Sequence, residues 1–371
     1  MTAKSPLSIV HVAAPARFGG LETVLASLLP AQLEIGDSVC LIAVLTHEDA
    51  ADHPLVESLQ ESNVTVCPVV IDTRQYLRER AVVRDILLAR AADICHTHGY
   101  RSDVIDASVA RRAGVKTVST VHGYTGGGWK NRAYEWIQTR TFRRFDAVAA
   151  VSTRLETDLL ARGVSSSRLH VVRNSWTAPS DPLTRTEACR ELGVPPEGER
   201  VGWVGRLNAE KGPDVFVRAA AQVQAPGATF SIIGAGALEP DCRSLAESLE
   251  LGGVTWHGAI ARASRFLRAF DCLVLSSWTE GTPMILLEAM AAEVPIVATA
   301  VGGIPDILTE SEALLCEAGD EAGLAAAIDA TLGDRQSAVE RAAAARRRLD
   351  ADFAVSPWAA RYRDIYRSIL G

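Results

Sequence analysis

The chain has 371 residues, 48% of them hydrophobic and 22% charged, with a formal net charge of −7. That length predicts about two domains with ample core, and the acidic balance excludes nucleic acid as the main partner, since no basic face dominates. Seven cysteines stand singly without a Cys-x-x-Cys pair, and no apolar run reaches the ~18 residues that a membrane-spanning helix needs. Residues 1–6 lead into the first apolar run with no signal-peptide core, so the expected location is cytoplasmic, at most peripheral at the inner face of a membrane.

In chain order, the first short β-branched run is 8–13. It leads into Phe18-Gly19-Gly20-Leu21-Glu22 and a helical pattern over 21–35. Two glycines ahead of a helix start let a ligand approach the backbone there. Further strand patterns cover 39–45, 64–70 and 94–98, the last ending in His96-Thr97-His98. The i, i+2 spacing puts both imidazoles on one strand face and invites a metal, but no third ligand is evident. His96 therefore reads as core and His98 as an acceptor-side residue. A helical pattern over 102–112 precedes a strand over 117–122, which closes on His122-Gly123-Tyr124, and Gly126-Gly127-Gly128 predicts a mobile loop beyond it.

Residues 129–145 interleave Lys130, Arg132, Arg140, Arg143 and Arg144 with Trp136, Phe142 and Phe145. An amphipathic helix packed on a sheet accounts for this pattern; contact with an anionic membrane surface or a lipid-linked acceptor is the second reading. A helix over 153–162 between strands over 147–152 and 169–173 completes the first half. Around 175–184 the alternation breaks into Trp-Thr-Ala-Pro-Ser-Asp-Pro, a linker pattern.

Strand patterns then return at 201–204, 229–233, 254–257, 272–276 and 296–300. Alternating strands and helices predict an α/β architecture of two doubly wound, Rossmann-like parallel-sheet domains, 1–176 and 185–355, facing a central cleft. Ligands of such sheets bind at the carboxyl ends of strands, where the motifs here fall. After 201–204 comes Gly205-Arg206-Leu207-Asn208-Ala209-Glu210-Lys211-Gly212, which can set two cations on a diphosphate. Gly234 and Gly236 end the next strand and would bring backbone close to a nucleotide. His257 ends the one after, as a strand-end histidine or a base-contacting one. After 272–276, Glu280-Gly281-Thr282-Pro283-Met284-Ile285 leads to Glu288. Thr282 suits an N-cap and Pro283 the first helical turn, which makes a seat for a phosphate. Glu280 and Glu288, as acceptors only, suit sugar hydroxyls.

The Glu280-x7-Glu288 pattern, with Gly-Thr-Pro after the first glutamate and Arg206-x4-Lys211 upstream, resembles the retaining glycosyltransferases of the GT-B fold, family 4 type (glycosyl transferases group 1). The resemblance spans essentially the whole chain and is strongest over 201–306. Asn174-Ser175-Trp176 stands where many relatives have Asn-Gly, and Gly281-Thr282 where a Phe-Gly element often follows the first glutamate. The resemblance implies transfer of a hexose-type sugar from a nucleoside diphosphate sugar, UDP by expectation, to a hydroxyl acceptor. In that scheme Glu288 holds the ribose diol, Glu280 the donor sugar, and Arg206, Lys211 and the Pro283 helix start the departing diphosphate. His122, Gly19 and Gly20 position the reacting sugar, with Gly205, Gly234, Gly236, His257 and Met284–Ile285 lining the donor and His98 and Tyr124 on the acceptor side. It also implies no cofactor and no metal, and a last helix, 357–371, that crosses back to the first domain. The alternatives are a nucleotide-sugar epimerase, a non-catalytic nucleotide-sugar-binding subunit, and a nicotinamide dehydrogenase. The last lacks the third glycine of its fingerprint, since position 239 is Glu.

Overall fold

The computed structural model describes residues 5–17, 19–72, 75–123, 129–176 and 182–371, the side chains of 129–132 excepted. It divides into two compact units, residues 1–176 with 354–371, and residues 177–353. Tyr124 and the Gly126–Gly128 run lie outside the described residues.

In the first unit the strands are β1 (Ser8–Ala13), β2 (Ser38–Leu45), β3 (Thr65–Val70), β4 (Ile94–His98), β5 (Lys116–Val121), β6 (Ala147–Ala150) and β7 (Leu169–Val171). They form one parallel sheet in the order β3-β2-β1-β4-β5-β6-β7. The central strands are buried on both faces, as near-continuous Val, Ile and Ala runs require. Register decides which residues meet: His11 of β1 lies opposite His96 of β4, and His98 opposite Thr120 of β5. Because side chains alternate along a strand, these four share one face.

The helix Val355–Leu370 belongs to this unit and packs on the helix Gly20–Glu34. Its buried Trp358, Ala359, Tyr362, Ile365 and Tyr366 recur at helical spacing and form one apolar stripe. Arg363 anchors it by donating to the Ile35 carbonyl (2.7 Å) and pairing with Asp37 (3.2 Å). The pattern over 102–112 resolves into two helices, Tyr100–Ile105 and Ala107–Arg112, because hydrogen bonding restarts at the Asp106 carbonyl, which accepts from Val109 and Ala110.

The second unit has β8 (Arg200–Val204), β9 (Thr229–Ile233), β10 (Val254–Gly258), β11 (Cys272–Leu275), β12 (Ile296–Thr299) and β13 (Leu314–Cys316). Its sheet is also parallel, ordered β10-β9-β8-β11-β12-β13. The edge strand β13, three residues long, was not among the expected strands. Both sheets reverse their winding direction at a central strand pair, β1/β4 in the first and β8/β11 in the second, and at such switch points strand-end loops diverge and leave room for a ligand.

Candidate active site

In the second unit the loops after β8 and β11 meet. The Trp203 indole of β8 donates to Ser276 Oγ (3.1 Å), and that hydroxyl donates to the Gly212 carbonyl (2.6 Å). From the other side Thr299 of β12 donates to the Ser277 carbonyl (2.6 Å). The loop carrying Glu280 is thus tied to both flanking strands.

Lys211, last residue of the short 3-10 helix Ala209–Lys211, reaches across to Glu280. Its ammonium donates to both carboxylate oxygens at 2.7 Å, and Ser277 Oγ donates to Oε1 at 2.7 Å. The Glu280 side chain is only 5% exposed and that of Lys211 24%. A carboxylate offers about four acceptor positions, and three are filled, leaving one for a ligand hydroxyl. Arg206, 54% exposed, makes among the described residues a single 3.2 Å contact, with Glu210, and can turn toward an anion.

The helix Met284–Ala292 follows. Pro283, not Thr282, holds its cap position, with φ −69° and ψ 113°. An extended ψ at the proline keeps it outside the first turn, so the expected cap moves by one residue. Along this helix only Ile285, Glu288 and Ala292 are partly exposed, an i, i+3, i+7 stripe on an otherwise buried apolar helix. Burial pushes the Glu288 carboxyl up to about 7. Its place about 6 Å past the helix start follows from the 1.5 Å rise per residue.

The glycines serve the loops before they serve any ligand. Gly234 sits at φ +141°, and a Cβ there would run into the Gly205 carbonyl. A Cβ at Gly236 would likewise meet the backbone of Leu207, whose amide donates to the Ala235 carbonyl at 3.0 Å. The two loops therefore continue the β8–β9 pairing beyond the strands, and the Gly205–Leu207 backbone fills the space that a side chain at Gly234 or Gly236 would need. Gly302, at φ +56°, presses on the Glu280 carbonyl, which accepts from the Gly303 amide at 3.2 Å. From the sequence, Gly302-Gly303-Ile304 follows the last clear strand and is expected to shape the wall near Glu288 or the sugar; its support of the Glu280 loop comes from the fold. His257 is partly buried and meets Ser231 Oγ at 3.2 Å.

In the first unit Gly19 caps the helix Gly20–Glu34 in extended backbone. Glu22 Oε1 folds back to accept from the Ala16 amide (2.8 Å), closing the loop. His122 follows β5 and is partly buried, with its Nε2 3.2 Å from His98 Nδ1. His98 is 1% exposed. Its other nitrogen meets His11 Nδ1 at 2.9 Å, so it faces the interior and reaches the strand-end surface only through His122.

His11 is the third imidazole that sequence spacing failed to show beside His96 and His98; ligating atoms of the three lie within 4.8 Å of one another. A metal does not fit them as they stand. His96 meets Tyr366 (2.7 Å) and Thr120 (2.8 Å), and His11 meets Gln32 (2.7 Å) and His98, so all six ring nitrogens already have partners. The 2.9 Å between His11 and His98 is also shorter than the ~3.3 Å that two nitrogens keep around a tetrahedral ion bound at about 2.0–2.1 Å.

In the helix Trp129–Phe142, Phe142 is buried, as is Phe145 beyond it, while Tyr134 and Trp136 are exposed and Arg140 stacks 4.7 Å from the Trp136 ring. Among the described residues no helix is long and apolar enough to cross a membrane.

Two family models match the chain, glycosyl transferases group 1 over residues 198–334 and a glycosyl transferase 4-like domain over residues 19–175. The D-inositol 3-phosphate glycosyltransferase of Acidothermus cellulolyticus is 31% identical over 303 residues, 73% of this chain and 67% of that one. The chain belongs to the group 1, family 4 type glycosyltransferases. The α-maltose-1-phosphate synthase of Mycolicibacterium smegmatis is 29% identical to this glycosyltransferase over 317 residues, 76% of the chain and 80% of the relative. Anabaena HepE, crystallised with UDP and glucose, superposes with a TM-score of 0.82 at 20% identity, over 98% of this chain and 100% of that one. The fold is GT-B, and the activity is glycosyl transfer from a nucleotide-sugar donor.

Proposed function

We propose that the enzyme moves a hexose unit from UDP-hexose to a hydroxyl acceptor with retention at the anomeric carbon and without a metal. The observation that carries this reading is the Lys211–Glu280 pair set beside Arg206 and the Glu288 helix. The departing nucleoside diphosphate gains negative charge in the transition state, and Arg206 with Lys211 supplies fixed positive charge there. Lys211 also neutralises Glu280, so a carboxylate can stand near the diphosphate and spend its open lone pair on a sugar hydroxyl. Glu288, ionised by the diol it accepts from, takes the ribose. His122 and the Gly19–Gly20 turn position the reacting sugar and the acceptor. The Anabaena structure with UDP and glucose supports uracil as the base.

For the acceptor we propose a lipid-linked oligosaccharide in exopolysaccharide or cell-envelope glycan synthesis. The exposed Tyr134, Trp136 and Arg140 support peripheral contact with a membrane through residues 129–145, where amphipathic aromatics and a cation suit the interface.

Thermal unfolding with a panel of nucleoside diphosphates and their sugars, without added metal, tests the donor reading. A ligand at 100 times its Kd adds about 2.7 kcal/mol and raises the Tm visibly. Selective stabilisation by UDP is expected; silence toward every diphosphate would refute it.

A further inference from the structure

The first unit buries an unbroken line of hydrogen-bonding side chains on the sheet face described above. Thr120, His96, Tyr366, Gln32, His11, His98 and His122 follow one another at 2.8, 2.7, 3.0, 2.7, 2.9 and 3.2 Å. All but His122 are buried, and the line spans β1, β4, β5 and two helices. Burial holds His11 and His122 down to about 4 and His96 and His98 well below the ordinary histidine range, so each imidazole is neutral and carries one proton.

The polarity of the line then follows from donor and acceptor rules. Gln32 is the one member whose two ends differ permanently, Nε2 donating and Oε1 accepting. Its Nε2 donates to the Tyr366 hydroxyl, which donates onward to His96 Nδ1. Its Oε1 accepts from His11 Nε2, which leaves His11 Nδ1 bare. His98 must donate from Nε2 to that nitrogen, and His122 must donate from Nε2 to the bare His98 Nδ1. Turning the Gln32 amide over reverses every bond and moves all four ring protons to Nδ1. Among the described residues nothing engages His122 Nδ1, so this atom alone displays the polarity at the strand end.

We propose that Gln32 is a positioning residue for sugar transfer: through His11 and His98 it keeps the His122 proton on Nε2, so that His122 presents Nδ1 as a hydrogen-bond acceptor to a hydroxyl of the sugar or acceptor. The use of His122 in transfer rests on the proposed function; the placement of its proton does not. A buried network with every member satisfied is rigid, and the cost of an orphaned buried donor, about 1–3 kcal/mol, keeps all the protons of the line pointing in the one sense that the Gln32 amide sets.

The test uses the full-length enzyme labelled with 15N-histidine, without ligand. Long-range 1H–15N spectra read the tautomer of each ring, and His122 is assigned by His122→Gln. The expected spectrum has His122 on Nε2 only. Gln32→Met removes the fixed polarity and should split His122 between both tautomers, lowering kcat about two- to tenfold by reducing the competent fraction while donor KM holds. Gln32→Glu, whose carboxylate accepts from His11 and Tyr366 alike, should restore the Nε2 signal and kcat. His98→Phe cuts the line at similar volume and should split the His122 signal too, which covers the case in which Gln32→Met does not fold. His122 on Nδ1 in the wild type, or an unsplit Nε2 signal in the Gln32→Met or His98→Phe variant, would overturn the proposal. His122 on Nε2 in a protein that transfers no sugar would instead overturn the proposed function.

Discussion

The two units place their polar groups in opposite ways. In the second unit charge sits at strand ends, in loops that neighbouring strands tie down: Lys211 on Glu280, Arg206 in solvent, Glu288 on a helix stripe. In the first unit a line of neutral imidazoles, a glutamine and tyrosines runs through the interior, beside buried ion pairs such as Asp37–Arg363. Full charges stabilise a departing anion only where they are accessible, whereas a buried neutral line can fix geometry without the desolvation cost of ions. The contrast fits the proposed division, in which one unit binds charge and the other orients hydroxyls.

The largest effect that could break this contrast belongs to Lys211→Ala. It removes the cation proposed to face the departing diphosphate and strands a buried carboxylate. Steady-state kinetics should show kcat down about 10²–10³-fold, and denaturant titration a loss of about 2–3 kcal/mol. Lys211→Met with Glu280→Gln should recover the stability and none of the activity; recovery of both would mean that the pair is only structural.

Gly302→Ala comes next. Its positive φ and the Glu280 carbonyl against its Cα leave no room for a methyl, so about 2–4 kcal/mol should be lost in the second unit, with a matching drop in donor affinity by calorimetry.

Glu288→Gln sharpens the comparison by pH. The folded pKa near 7 lies above the ordinary glutamate value, so this group stabilises the protein below that ordinary value and loses its contribution as pH rises through 7. The variant should therefore melt higher than wild type at pH 8, match it near pH 4.5, and bind a nucleotide sugar at least tenfold more weakly. An unchanged donor KM would remove Glu288 from the ribose.

The smallest effect on stability is expected for the exposed Arg206→Ala, within about 0.5 kcal/mol, with a donor KM raised about tenfold in initial-rate assays.

The same contrast explains what the sequence made legible. Strand-end motifs of the second unit are local: Glu280, Glu288, Arg206 and Lys211 lie within short runs whose loop and helix signals can be read directly. Of the first unit's line, only the His96–His98 and Thr120–His122 pairs are local. His11, Gln32 and Tyr366 join it because β1 lies between β2 and β4 and because the last helix packs on Gly20–Glu34, which alternation of strands and helices does not specify. Gly234 and Gly236 illustrate a related point: a glycine at a strand end signals close backbone approach, and one neighbour that approaches is the loop of the adjacent strand.

The most direct measurement is calorimetric titration of UDP into wild type, Lys211→Ala and His98→Phe enzymes at one salt concentration. If the second unit binds the charge and the first orients hydroxyls, Lys211→Ala should weaken UDP at least tenfold and His98→Phe should leave its Kd within twofold of wild type. Equal weakening by both variants, or none by Lys211→Ala, would contradict that division.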